Sequence, residues 1–147
     1  MKAIVNHRYG SPDVLNLETV QKPTPNDDQL LIKVHASSIN ALDWHMLRAS
    51  PFIIRLTGSG FLRPKDTILG VDIAGKVEAV GKNVRQFKPG DEVFGSCGKG
   101  GFAEYVCTTE KGLVPKPENV TFEQAAAVPV AAITALQGLR DLSLIHI

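Results

Sequence analysis

The chain is poor in cysteine, with Cys97 and Cys107 alone among 147 residues. No C-x-x-C pair is present to nucleate a zinc site, and two thiols do not make a disulfide framework. A reducing, cytoplasmic setting is the expectation. An excess of charge is lacking as well, because 16 Lys and Arg stand against 15 Asp and Glu. That balance gives no basic footprint for nucleic acid and no acidic solvating tail. Long apolar runs are missing too. The longest, Ala125–Leu136, is interrupted by Thr134 and contains Pro129. It is too short to span a bilayer, so no membrane partner is expected. The opening MKAIVNHRYG lacks the layout of a signal peptide.

What is abundant is punctuation. Thirteen Gly and nine Pro cut the chain into short pieces and favour strands over a helical bundle. Strands are predicted at Lys2–Val5, Val14–Val20, Leu30–Ser38, Ile73–Val80, Val93-Phe94, Phe102–Cys107 and Leu113–Lys116. In the third, Leu30, Ile32, Val34 and Ala36 alternate against Leu31, Lys33 and His35. This many short strands implies a mainly β chain, a small barrel or partly opened sandwich. Ala41–Leu47 lacks Gly, Pro and β-branched residues and reads as a short helix capped by Asn40. Pro51–Lys65 reads as an irregular surface loop. Thr121-Phe-Glu-Gln124 is a capping box that starts a helix. Pro129 ends or kinks that helix, and Val130–Asp141 can form a second one.

Few motifs carry chemistry. Gly70-Val-Asp-Ile-Ala-Gly75-Lys76 nearly spells a phosphate-binding loop, yet Val77 replaces the hydroxyl residue and a strand follows where a helix is needed. The glycines Gly95–Gly101 read as a turn between strands. Cys107 is most simply a buried small hydrophobe. No G-x-S-x-G elbow supports a hydrolase. His45 is more suggestive, since the short helix holds it beside Trp44, with Asn40 and Asp43 near by, a polar set that could line a pocket.

Several segments taken in order resemble the medium-chain dehydrogenase/reductase superfamily. They are Gly70-Val-Asp-Ile-Ala-Gly75 through Val84, Phe87-Lys-Pro-Gly-Asp-Glu-Val-Phe94, Gly101-Phe-Ala-Glu-Tyr-Val106 and Phe122-Glu-Gln-Ala-Ala-Ala-Val-Pro129. Asn40-Ala-Leu-Asp43 resembles the N-x-x-D block of its zinc-independent, quinone oxidoreductase-like branch. The resemblance implies a GroES-like, partly open β-barrel followed by the start of a helix leading to a Rossmann domain. It also implies hydride transfer from NADP(H) or NAD(H) to a small hydrophobic carbonyl, quinone or enone, and a parent that could pair as a homodimer. Zinc-dependent members carry Cys where this chain has Asn40, and His-Glu where it has Val71-Asp72, so no catalytic zinc is implied. By the same resemblance Asn40 and His45 are the catalytic candidates, His45 as proton donor or substrate-orienting group. Asn40 and Thr134 are the cofactor-binding candidates. Ala49–Lys65, with Phe52, Ile53 and Phe61, would be the substrate loop.

The implied organisation is a GroES-like domain over 1–122, linking helices over 123–141 and a non-native tail over 142–147. The tail Leu142-Ser-Leu-Ile-His-Ile147 is what a transposon adapter from sequencing libraries would encode. On this expectation the chain is a fragment whose Rossmann domain is absent. Two alternatives stand beside it: a stand-alone GroES-like binding module, and a zinc alcohol dehydrogenase with degenerate ligands.

Overall fold

Strand-forming segments between Gly and Pro turns fold into two antiparallel units in the computed structural model, which describes residues 1–56 and 60–141. The proposed tail at 142–147 lies outside the described residues. Strands β1 (Lys2–Asn6) and β2 (Leu15–Thr19) form a hairpin. Strands β3 (Gln29–Ser37), β4 (Asp72–Val80), β5 (Glu92–Ser96), β6 (Tyr105–Thr109) and β7 (Leu113–Pro115) form a five-stranded sheet. Its order is β6-β3-β4-β5-β7. Single bridges from Ala3 to Ala103 and from Val5 to Ile68 tie the hairpin to the rest. The described strands make a mainly β, GroES-like fold without closing a barrel.

The sheet has a covered face on each side of β4. On one, Leu30, Ile32, Ile73, Val77, Val93, Val106 and Leu113 pack with Val84 and Phe87. On the other, Ala74 meets Ala125 and Ala126 of helix α2 (Phe122–Ala126). Small residues on both sides let the helix approach the strand closely, which is why this stretch of sequence is rich in alanine. Register shifts fall between Leu31 and Ile32 and between Val34 and Ala36. The alternation in β3 is broken once, where His35 is extra between Val34 and Ala36; the other shift is in β4, where Glu78 is extra between Val77 and Ala79. A bulge adds one residue and exchanges the faces beyond it. Val34 therefore packs on the main core with Leu30 and Ile32, and Ala36 on the α2 side.

Other expectations are corrected. The sixth strand runs Tyr105–Thr109, not Phe102–Cys107, because Phe102 and Gly101 bond the loop residues Leu69 and Gly70 instead. Cys107 is half-buried rather than buried. Within Pro51–Lys65, Phe52–Leu56 winds into a 3₁₀ helix. The helix begun at Thr121 ends at Ala126, ahead of Pro129, as expected, but the second helix starts at Ile133 rather than Val130. Pro129 lies in the first turn of a π-helical segment, Val128–Ala132, where an N–H would have no partner within the helix, and α3 (Ile133–Asp141) follows. No helix among the described residues is long and apolar enough to cross a membrane.

Candidate functional site

Helix α1 (Ala41–Arg48) begins with a reciprocal cap. The Leu42 N–H donates to Asn40 Oδ1 at 3.0 Å, and the Asn40 N–H donates to Asp43 Oδ2 at 3.0 Å. Asp43 also receives the Gly70 N–H on Oδ1 at 3.1 Å. Gly70 has φ of +94°, and a Cβ there would meet Phe102 at 2.6 Å, so only glycine lets the loop present that N–H to the carboxylate. Asp43 is thus buried for a structural reason, and burial holds its carboxyl above the ordinary range despite its backbone donors.

The same cap places Asn40 against Asp72, at the start of β4. Asp72 is fully buried. Its Oδ2 accepts from the Val130 N–H at 2.9 Å, from Ser38 Oγ at 3.3 Å and from Asn40 Nδ2 at 3.5 Å. Ser37 Oγ donates to the Asp72 carbonyl at 2.6 Å. One carboxylate therefore joins the end of β3, the cap of α1 and the π-helical turn that leads into α3. Its Oδ1 is buried without a hydrogen-bond partner. Burial again raises the carboxyl above its ordinary range, with the nearby Asp43 charge acting in the same direction.

These two shifts set a pH dependence. Both native carboxyls bind protons more tightly than in the unfolded chain, where the reference is 3.8. The folded state then holds more protons, so their contribution to stability is present below 3.8 and falls as pH rises through the native values. Asp72→Asn is expected to flatten that fall, read from denaturation midpoints across acid to neutral pH. An unchanged slope would remove Asp72 as a source.

His45 lies apart from the Asp72 cluster. Its Nδ1–H donates to the Ser50 carbonyl at 2.6 Å, which leaves Nε2 for another partner. The ring meets Trp44 edge to face. Thr134 is exposed on the first turn of α3, four residues beyond Val130, with no bond to Asn40. The structure therefore unites Asn40 with Asp72 and leaves His45 and Thr134 outside that network. Sequence reasoning missed Asp72 and the Val130 N–H. The signal was a carboxylate in the apolar strand Val71-Asp72-Ile73-Ala74, where an ionisable group must find buried donors.

A cavity of about 80 Å³ opens beside Asp43, with Met46, Leu69, Gly70, Val71 and Lys99 among its walls. Phe52, Ile53 and Phe61 do not line it and stand more than half exposed. Cys97 Sγ donates to the Val71 carbonyl at 3.2 Å, and burial pushes its pKa up to about 12, so it is a thiol rather than a ready thiolate. Among the described residues no group of three or more His, Cys, Asp or Glu could hold a metal ion.

The family described as alcohol dehydrogenase GroES-like domain matches residues 26–118. The chain belongs to this family. The GroES-like domain is 40% identical to the 2-methylene-furan-3-one reductase of Solanum lycopersicum, covering 95% of the chain and 37% of that protein. It is 39% identical to the chloroplastic NADPH-dependent alkenal/one oxidoreductase of Arabidopsis thaliana, with the same two coverages. Among solved structures, the quinone oxidoreductase from Coxiella burnetii superposes with a TM-score of 0.83 at 36% identity. That match covers 95% of this chain and 44% of the other. The GroES-like domain thus spans about two fifths of the length of the curated relatives it matches. The resemblance to the quinone oxidoreductase-like branch of the medium-chain superfamily is borne out.

Proposed function

We propose that this GroES-like domain is the substrate-side part of an NADPH-dependent oxidoreductase that reduces a quinone, enone or other activated carbonyl without zinc. The observation that carries the proposal is the Asn40–Asp72 pair. Where zinc-dependent members would need a thiolate and an imidazole, this chain has an amide and Val71, and the Asp72 Oδ2 is taken by three donors. The donor set does not fit zinc. It does fit a nicotinamide cofactor, because Asn40 Nδ2 has one long bond to Asp72 and a second N–H to offer a carboxamide. NADPH would supply the hydride. Asn40 would bind at its nicotinamide end, Thr134 would bind it from α3, and His45 would orient the reduced oxygen through Nε2 or, as an imidazolium carrying a second proton there, protonate it.

The activities for which the relatives are named support the substrate class: a furanone reductase, an alkenal/one oxidoreductase and a quinone oxidoreductase. In the whole protein, a nucleotide-binding half following the linking helices at 123–141 belongs to the same proposal. So do the domain limit at 122, pairing as a homodimer, a cytoplasmic location and the foreign origin of 142–147. Reading the source DNA tests the last of these.

The decisive experiment recovers the downstream reading frame, expresses the whole protein and follows NADPH oxidation with a quinone, an alkenal and, in reverse, a simple alcohol. Quinone or alkenal reduction that survives chelator is expected, with His45→Ala lowering kcat about 100-fold. The 147-residue chain alone is expected not to turn over. Chelator-sensitive alcohol oxidation would overturn the proposal.

A further inference from the structure

Donors from three separate elements meet on one atom of Asp72. The Val130 N–H comes from the π-helical turn, Ser38 Oγ from the end of β3 and the Asn40 amide from the cap of α1. All of them reach Oδ2, while Oδ1 is buried without a partner. No cation is among these partners, although a buried carboxylate is ordinarily paired with one.

Both candidate cofactor contacts hang on that atom. Asn40 Oδ1 accepts from the Leu42 N–H at 3.0 Å, so Nδ2 is the end of the amide turned toward Asp72. At 3.5 Å the contact is long for a hydrogen bond. A negative charge there still attracts Nδ2 and repels the amide oxygen, which fixes the way the amide faces. Asn40 is only half-buried, as a ligand contact requires. Thr134 stands four residues beyond Val130, about one helical turn from the N–H that Asp72 holds. Val130 is the third residue of the π-helical turn, where an N–H has no acceptor within the turn itself. Asp72 supplies that acceptor and so ties down the start of α3.

We infer that Asp72 is a positioning residue for hydride transfer: by holding the Asn40 amide and the Val130 N–H on one oxygen, it sets the spacing between the nicotinamide contact at α1 and the cofactor contact on α3. The inference rests on the reading of Asn40 and Thr134 as cofactor contacts. Asp72 is fully buried, so it acts through these partners and not on the substrate. Its effect falls on turnover, because a displacement of about 1 Å slows a reaction about 100-fold even when the reactants stay bound.

Two measurements test it. On the 147-residue chain, Asp72→Leu keeps the volume and removes the acceptor. It is expected to move the Asn40 side-chain amide and the Val130 backbone amide in NMR spectra, and to speed hydrogen exchange at Val130 at least about tenfold. Asp72→Asn, whose single oxygen can take the place of Oδ2, is expected to leave both amides close to their parental positions. In the whole protein, with the downstream frame recovered, Asp72→Leu is expected to lower kcat about 100-fold while KM for NADPH changes less than about threefold. Asp72→Asn should restore kcat to within about fivefold of the parent. Should Asp72→Leu fail to fold, Asp72→Ala makes the same test and leaves room for water to reach the donors. Val84→Ala, in the main core, is the control for lost stability and should lower the melting temperature with kcat unchanged. A folded Asp72→Leu or Asp72→Ala enzyme with parental kcat would overturn the inference, as would unmoved Asn40 and Val130 amides or an equal loss of kcat in Val84→Ala. Parental kinetics in both Asn40→Ala and Thr134→Val would remove the cofactor reading, and the inference with it. Loss of kcat in Asn40→Ala but not in folded Asp72→Leu would overturn the inference alone.

Discussion

Gly75→Val is expected to cost the domain about 3 kcal/mol, the upper end for overpacking a filled interior. A Cβ at this position would lie 2.2 Å from the Lys33 carbonyl and 3.0 Å from the Ile32 side chain. The first of these is backbone in the paired strand, so it cannot swing aside. Gly75 faces Val34 in the β3–β4 ladder, next to the bulge that exchanges the faces of β3. Relief would have to come from separating the two central strands, with Ile32, Ile73 and Val77 in the core between them. For a chain of this size the loss corresponds to roughly 10 °C in Tm. Thermal and urea melts of the variant would check it. A midpoint within about 0.5 kcal/mol of the parent would mean that the close approach of β3 and β4 is not as described.

The second large effect is expected from Asp43→Ala. Its carboxylate accepts from the N–H groups of Asn40 and Gly70, each of which would be left without that partner. Bonds from backbone donors to a charged acceptor contribute about 1.5–3 kcal/mol each, and relief of a buried charge offsets part of that. A net loss of about 3 kcal/mol is expected. Asp43→Asn retains one acceptor oxygen and should recover about half of it, roughly 1.5 kcal/mol. The same change reaches the candidate site. Without Asp43 the reciprocal cap is broken, so the side-chain amide of Asn40 should shift in NMR spectra even though the substitution is three residues away. A destabilised variant with an unmoved Asn40 amide would separate the cap from the site.

Much of the fold follows from local patterns. The caps at Asn40 and Thr121 are side-chain chemistry acting over three residues, and both form where their sequences place them. The strand of Gly70-Val-Asp-Ile-Ala-Gly75 displaces the phosphate-loop reading for the same kind of reason: Val77 and its neighbours prefer extended backbone, and β4 runs through them. The ordered motif blocks sufficed to assign the superfamily.

The site was less legible. Asn40 could be singled out from its motif, but nothing along the chain said that its amide would point at Asp72, or that Val130 would arrive on the same oxygen. Asn40, Asp72 and Val130 are far apart in sequence, and their meeting depends on how β3, β4 and the π-helical turn pack. The bulge between Val34 and Ala36 is of this kind as well. It arises from pairing with β4, so alternation within β3 could not announce it.

The contrast returns to the scarcities in the composition. Few cysteines, balanced charge and abundant Gly and Pro were enough to imply short strands and to argue against a disulfide framework or a nucleic-acid footprint, because those properties depend on residue type and near neighbours. Whether a donor set suits zinc, which carboxylate is buried without a cation, and which apolar side chains remain in water depend on distances between segments remote in sequence. Packing set those distances: it brought Asp72 under Asn40, enclosed Cys97 as a thiol and left Phe52 and Phe61 outside the cavity.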